Sequence, residues 1–264
     1  MNRKCRTTIL VLALWSVFIG IPGYFLWREV HQQQLNQQLV AAIKSEDTSA
    51  ALLTLNLGAD ANARDEPRVS VWQRMWNLLQ HHRTAPSTAN TPLLILLDHV
   101  HSRDHPDLVR ALLAHGARVD DADELGLTPL YKALSTRKTA SALLLIEHGA
   151  DVTPEARNQS AVTDMLKRRV LITAIEHSST AAVVESLLRH GADPNQAGLE
   201  GLTVLGMAVL YGDPPTVQCL LRHRADPNRT AEFFRDDSIR PLEYAEKHHM
   251  TEIARMLKNA GAHK

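Results

Sequence analysis

The chain has 264 residues, of which 44% are apolar, with a formal net charge of zero and two cysteines. This excludes a disordered polymer, a disulfide scaffold and a strongly basic nucleic-acid binder. The zero conceals an asymmetry: residues 1–28 hold Arg3, Lys4, Arg6 and Arg28 and no acid, so they carry +4, leaving 25 basic against 29 acidic side chains in the rest. A body with a charge of −4 has no general attraction for phosphate backbones, and no nucleic acid is expected as a partner. Aromatics at 5% and only 12 glycines are low for an enzyme built on Gly-rich loops.

Taken in chain order, residues 1–6 are a short basic N-terminus, followed by 21 residues without a charge, Thr7–Trp27. At about 1.5 Å per residue, a helix of that length spans the ~30 Å core of a bilayer. Tyr24 and Trp27 stand near its far end, where amphipathic rings favour the headgroup level. The rivals are a cleaved signal peptide and a buried soluble helix. A signal peptide has a shorter apolar run ending in small residues, whereas this one ends in Tyr24-Phe25-Leu26-Trp27. The spacing predicts an uncleaved transmembrane anchor over 7–27, with Pro22 and Gly23 kinking its last turns. Three Lys and Arg precede the run and only Arg28 closely follows it. The positive-inside bias therefore holds the N-terminus in the cytoplasm and sends the body across. In a bacterium this gives a single-pass inner-membrane protein with a periplasmic domain. In a eukaryote the body is lumenal or extracellular, where Asn158-Gln159-Ser160 and Asn228-Arg229-Thr230 match the glycosylation pattern. Residues 28–36 lack Gly and Pro and predict a polar stalk helix leading into the domain.

The remaining chain repeats itself. LLAHGARVD (112–120), LIEHGADVT (145–153), LLRHGADPN (187–195) and LLRHRADPN (220–228) share one phrase, with weaker copies at 55–62 and 257–264. The anchor position of each falls at 58, 116, 149, 191, 224 (an Arg) and 261. Two gaps are 33 residues and the others are 33 plus inserts of 25, 9 and 4. A second phrase, Thr128-Pro129-Leu130, Thr203-Val204-Leu205 and Arg240-Pro241-Leu242, has its middle residue 20 before the anchor, and Thr91-Pro92-Leu93 stands 24 before Gly116. A Thr followed by Pro caps and starts a helix. Ala42, Ala133, Ala208 and Ala245, sixteen before their anchors, are small enough for close helix packing. The paired Leu before the anchor faces a neighbouring unit, and the anchor takes the left-handed conformation that ends the second helix.

These residues resemble the ankyrin repeat family, from about 37 to 264. The resemblance implies an all-α ankyrin-repeat solenoid of about six helix-pair units, preceded here by the one N-terminal transmembrane helix. The expected units are 37–65, 90–122, 123–155, 168–197, 198–230 and 237–264, with an insert at 66–89. The family's usual role is binding other proteins, so a protein partner is expected. Two departures stand out: the family's His after Thr-Pro-Leu is replaced by Leu94, Tyr131, Gly206 and Glu243, and the fourth unit opens on Val170-Leu171-Ile172. In the family's concave face the corresponding positions are Met207, Leu210 and Tyr211.

The long insert carries Val69, Trp72, Met75, Trp76 and Leu79 at helical spacing, with three Arg and no acid from Pro67 to Arg83. Three readings stay open: a helix packed on the first two units, a recognition helix anchored by Trp72 and Trp76, and a helix lying on the membrane interface. A shorter insert, 154–169, predicts a helix ending Lys167-Arg168-Arg169. In the last insert, Phe233-Phe234 interrupts a polar run, and Phe234 is a candidate exposed contact.

Chemistry is sparse. No nucleophile elbow, phosphate loop, His-Glu-x-x-His or Cys-x-x-Cys is present, so neither an enzyme nor a cofactor is expected. Solenoids offer broad surfaces and no deep cleft, so no small-molecule substrate is expected either. His115, His148, His190 and His223 precede the anchors, where an imidazolium favours the negative helix end. A weak metal candidate is His99, His101 and His105, three His within seven residues but with Arg103 among them. Cys219 stands at a small-residue position matching Ser186 and Ala111, and Cys5 lies across the predicted membrane, so no internal disulfide is expected. Partner classes consistent with this reading are a resident envelope enzyme, an envelope-targeted toxin against which the chain acts as an immunity or inhibitor protein, and a host protein bound by a secreted effector.

Overall fold

The computed structural model describes residues 21–65, 90–98, 103–153, 170–177, 180–198, 201–229, 231–233 and 237–263. The described residues belong to two bodies, Met1–Pro92 and Leu93–Lys264.

The first body is a helix pair. Helix α1, Ile21–Lys44, runs through residues 28–36 without a break, with Pro22 and Gly23 in its first described turn. It packs on α2, Thr48–Asn56. Leu35, Leu39, Val40 and Ile43 of α1 and Ala51 and Leu55 of α2 are buried. Asp47 starts α2 by accepting a hydrogen bond from the Ala50 amide at 2.9 Å, the usual use of Asp at an N-cap. The following turn is tied back to α1: the Asp60 amide donates to Asn36 Oδ1 at 2.8 Å, and Gln32 Nε2 donates to the Gly58 carbonyl at 2.8 Å.

The second body has five more pairs: α3 Pro92–Asp98 with α4 Pro106–Ala114, α5 Pro129–Ser135 with α6 Thr139–Glu147, α7 Val170–Glu176 with α8 Ala181–Arg189, α9 Val204–Leu210 with α10 Pro214–Arg222, and α11 Pro241–Lys247 with α12 Thr251–Asn259. First helices have seven residues and second helices nine. Helices this short are marginal alone in water, so their stability comes from packing. They form two layers: α5, α7, α9 and α11 pack in one row, and α4, α6, α8, α10 and α12 in the other. The rows differ in pattern for that reason. Val170–Ile175 of α7 and Val204–Val209 of α9 are buried on every side, whereas α8 buries only Val183, Val184, Leu187 and Leu188. The small residues expected at close helix contacts are buried, with Ala133, Ala208 and Ala245 at 0% exposure.

Both repeated phrases have a local mechanism. Thr128 Oγ1 accepts from the Tyr131 amide at 3.3 Å and Thr203 Oγ1 from Gly206 at 3.0 Å, so each Thr opens its helix as a cap. At the other end Gly149, φ +82°, turns the chain so that its amide reaches the Ile146 carbonyl and that of Ala150 the Leu145 carbonyl, both 3.0 Å. That pairing satisfies carbonyls the helix end would leave free. Arg224 adopts the same conformation, φ +69°, without being Gly. The Asp that follows folds the chain again: Asp151, Asp193 and Asp226 each accept the amide two residues on, at 2.8–2.9 Å. The last residue of the phrase then braces the next pair. Asn195 Oδ1 accepts from the Asp226 amide at 2.7 Å, Asn228 Oδ1 from His263 at 2.9 Å, and Asp120 Oδ1 from Asp151 at 3.0 Å. The 33-residue period is thus a hydrogen-bonded register between neighbours as well as a hydrophobic one.

An ion pair joins the second and third pairs. Lys132, 8% exposed, pairs with Asp98 and, at 2.9 Å, with Asp123, which is equally buried. Burial pulls the Lys132 pKa down, but the hydrogen bonds to Asp98 and Asp123 outweigh it and hold the ammonium above its ordinary value. Asp104 of the preceding pair caps α6, accepting from the Ala140 amide at 2.9 Å and the Ser141 amide at 3.2 Å.

The all-α solenoid is as expected, with one short addition: β1 Ala231–Phe233 and β2 Asp237–Ile239 pair antiparallel, with Glu232 opposite Ser238. The insert between the fifth and sixth pairs lengthens the connecting turn enough for its two arms to exchange backbone hydrogen bonds. Among the described residues no helix is long and apolar enough to cross a membrane; residues 7–20 of the expected anchor lie outside them, as do the inserts 66–89 and 154–169.

Candidate protein-binding surface

The residues expected on the concave face divide sharply. Met207 is 5% exposed, inside the fully buried stretch of α9, and belongs to the core. Leu210 is half-buried, and Tyr211, the residue that caps α9, is 55% exposed. The register explains the split, because a seven-residue helix packed on both neighbours in its own row and on the facing row leaves only its ends open. A further exposed apolar side chain, Leu125 at 60%, sits on the turn before α5. Asp123 builds that turn by accepting from the amides of Leu125 at 2.9 Å and Leu127 at 2.8 Å. Sequence reasoning passed over Leu125 because one Leu in a Glu-Leu-Gly turn carries no periodicity. Exposed Leu and Tyr on a rigid turn are suited to contact with a protein surface.

In the first body a groove of about 540 Å³ runs along α1 and the turn after α2, lined among others by Gln33, Asn36, Gln37, Lys44, Asn62 and Arg64. Its polar walls suit hydrogen-bonded peptide contacts more than an apolar ligand. The start of α1 is different. Tyr24, Phe25, Leu26 and Trp27 are all about half exposed or more, up to 61% for Trp27. Four consecutive helical residues sweep most of the way round the axis, so this segment is apolar on every side. Such a helix belongs in a core or in lipid.

Trp72, Trp76, His99, His101 and Phe234 lie outside the described residues. Of the proposed histidine cluster only His105 is placed; it precedes α4, and its buried Nε2 has no hydrogen-bond partner among the described residues. The anchor histidines end their helices: His148 Nδ1 meets the Leu144 carbonyl and His190 Nδ1 the Ser186 carbonyl, each at 2.8 Å.

His223 does something else. Its Nε2 lies 3.2 Å from Glu185 Oε1 on the neighbouring α8, and Cys219 Sγ donates to Glu185 Oε2 at 2.9 Å. Arg189 Nε reaches the same carboxylate at 3.0 Å and Arg222 Nη1 at 3.5 Å. The Cys219 thiol is pushed up to about 12, by burial first and by its carboxylate neighbour second. The thiol and His223 together hold the Glu185 carboxyl down to about 2. At ordinary pH this is a protonated thiol on a firmly ionised carboxylate. The sequence held a signal for this cluster that motif searching missed. Cys219 and His223 are one helical turn apart, and the repeat places Ser186 opposite Cys219, so Glu185 is one residue away in the adjacent unit.

Comparison with known proteins agrees with the geometry. The family pattern described as "Ankyrin repeats (3 copies)" matches residues 39–156 and 162–264. The human protein Rabankyrin-5 is 30% identical over 124 residues, covering 45% of this chain and 10% of the relative, so the chain spans only a small part of that protein's length. The crystal structure of an ankyrin repeat domain from Acinetobacter baumannii AYE superposes with a TM-score of 0.58 at 23% identity, over 85% of this chain and 98% of that one. At that identity the likeness shows the fold alone.

Proposed function

The chain belongs to the ankyrin repeat family, and from that premise we propose that it is a non-catalytic, single-span membrane protein that presents its repeats to a protein partner on the non-cytoplasmic side. Ankyrin repeats are protein-interaction domains, and the exposed Tyr211 and Leu125 supply side chains of the type that anchor such contacts. The observation that carries the membrane half is the all-round apolar exposure of Tyr24–Trp27 at the start of α1, directly after the uncharged run 7–23. The Lys and Arg excess before that run sets the orientation, which in a bacterium is inner membrane with the repeats in the periplasm. Support for a non-catalytic role is the use of charged groups in packing: Asp104 and the Asp98–Lys132 ion pair join the second helix pair to the third, and Asp123 braces Lys132.

A photo-crosslinking amino acid placed at Tyr211 in the native membrane tests partner binding. We expect a discrete protein adduct that is absent when the same probe replaces Arg110, an exposed residue of α4. Identical adducts from both positions, or none from Tyr211, contradict the proposal. The captured protein also separates a toxin, a resident envelope enzyme and a host protein.

A further inference from the structure

We propose that Glu185, Cys219 and His223 form a binding site for one divalent transition-metal ion of the zinc class, joining the outer helices of the fourth and fifth pairs. The inference is independent of the membrane reading. The three side chains each offer one ligand atom, and these atoms lie within 4.8 Å of one another. A thiolate, an imidazole nitrogen and a carboxylate oxygen are the zinc ligand set, and three protein ligands leave the fourth tetrahedral position to water. With ordinary zinc bond lengths a tetrahedral centre has N–O edges of about 3.3 Å and S–O edges of about 3.5 Å. The 3.2 Å separation of His223 Nε2 from Glu185 Oε1 matches the first edge, while Cys219 Sγ lies 2.9 Å from the other oxygen, Oε2, so a small rotation of the carboxylate must bring both ligands onto one oxygen. Cys219 lies in the last turn of α10 and His223, four residues on, caps its end, so the helix terminus sets two ligands on one side, and the close packing of α8 supplies the third.

The surroundings permit the exchange. Glu185 and His223 are 20% and 25% exposed, so an ion reaches the site from solvent without the core opening. Binding releases the Cys219 proton to water, and the thiolate with the Glu185 carboxylate balances the 2+ charge. Arg189 and Arg222 hold Glu185 in the metal-free protein, but their side chains are 69% and 61% exposed. Both can turn into water, where their repulsion of the ion is screened. The thiolate selects a borderline-soft ion and rejects Mg²⁺ and Ca²⁺.

The test uses the reduced, detergent-solubilised full chain carrying Cys5→Ser, so that Cys219 is the one thiol. Cobalt(II) is expected to produce a thiolate-to-metal charge-transfer band that saturates at one ion per chain and is displaced by zinc. Zinc, and not magnesium, is expected to raise the melting temperature. Cys219→Ser removes the band, and Glu185→Gln, which keeps the side-chain shape should Cys219→Ser fail to fold, weakens zinc binding about tenfold or more. Arg222→Ala strengthens it severalfold, whereas in a purely structural ion-pair cluster that change only weakens the fold. Absence of a charge-transfer band overturns the site. So does a zinc-induced rise in melting temperature that survives both Cys219→Ser and Glu185→Gln, because the ion is then held by other histidines.

Discussion

Arg224 occupies a position that all five other repeats of the phrase fill with glycine in the same left-handed conformation: Gly58, Gly116, Gly149, Gly191 and Gly261. For a side-chain-bearing residue that conformation costs roughly 1–2 kcal/mol. Glycine's larger entropy loss on folding returns part of it, roughly 0.5–1 kcal/mol. Arg224→Gly therefore stabilises by about 0.5–1 kcal/mol, a rise in melting temperature of roughly 2–4 °C per kcal/mol for a domain of this size. The reverse change at the equivalent position, Gly191→Arg, is expected to lower it by a similar amount. Thermal unfolding of the two variants side by side checks both signs. No rise for Arg224→Gly contradicts the account of the helix end. The same scale holds the clearest limit of sequence reading. Met207 and Tyr211 lie four apart and read alike as candidates, yet one is core and the other open, because only packing between helix rows decides which end of a seven-residue helix remains accessible. Glu185, Cys219 and His223 were beyond motif searching for a related reason, since their proximity arises across the repeat and not along the chain.

At the scale of the element, the helix ends were the most legible part of the chain. Thr128 and Thr203 cap as their Thr-Pro-Leu and Thr-Val-Leu phrases imply, and each Gly after the paired Leu closes its helix, because both roles depend on local backbone chemistry. The pairing of Ala231–Phe233 with Asp237–Ile239 was not legible, since six residues of mixed character carry no alternation long enough to mark strands. The insert 66–89 carries three open readings that one double substitution separates. If Trp72 and Trp76 anchor a partner, changing both to Ala weakens capture by roughly thirtyfold or more for each ring and leaves the melting temperature nearly unchanged, since buried interface aromatics commonly cost ~2 kcal/mol or more. A large fall in melting temperature contradicts this and places the rings against the repeats, where truncating a buried Trp costs ~3–5 kcal/mol. Weaker binding to anionic vesicles with capture preserved assigns them to the membrane surface instead.

For the whole molecule, the charge distribution and the first helix support one proposal. The +4 of residues 1–28 brackets the uncharged run, the acidic remainder carries the repeats, and α1 continues from the apolar segment into the first helix pair without interruption. The family supplies the protein-binding role, and the N-terminal segment supplies the proposed location. The most direct measurement of that combination is a topology reporter, active only outside the cytoplasm, fused after Lys264 of the full chain. The proposal predicts an active reporter, with activity lowered when Arg3, Lys4 and Arg6 are removed and Lys or Arg is added around residues 28–32. An inactive reporter on the unmodified chain would place the repeats in the cytoplasm and contradict it.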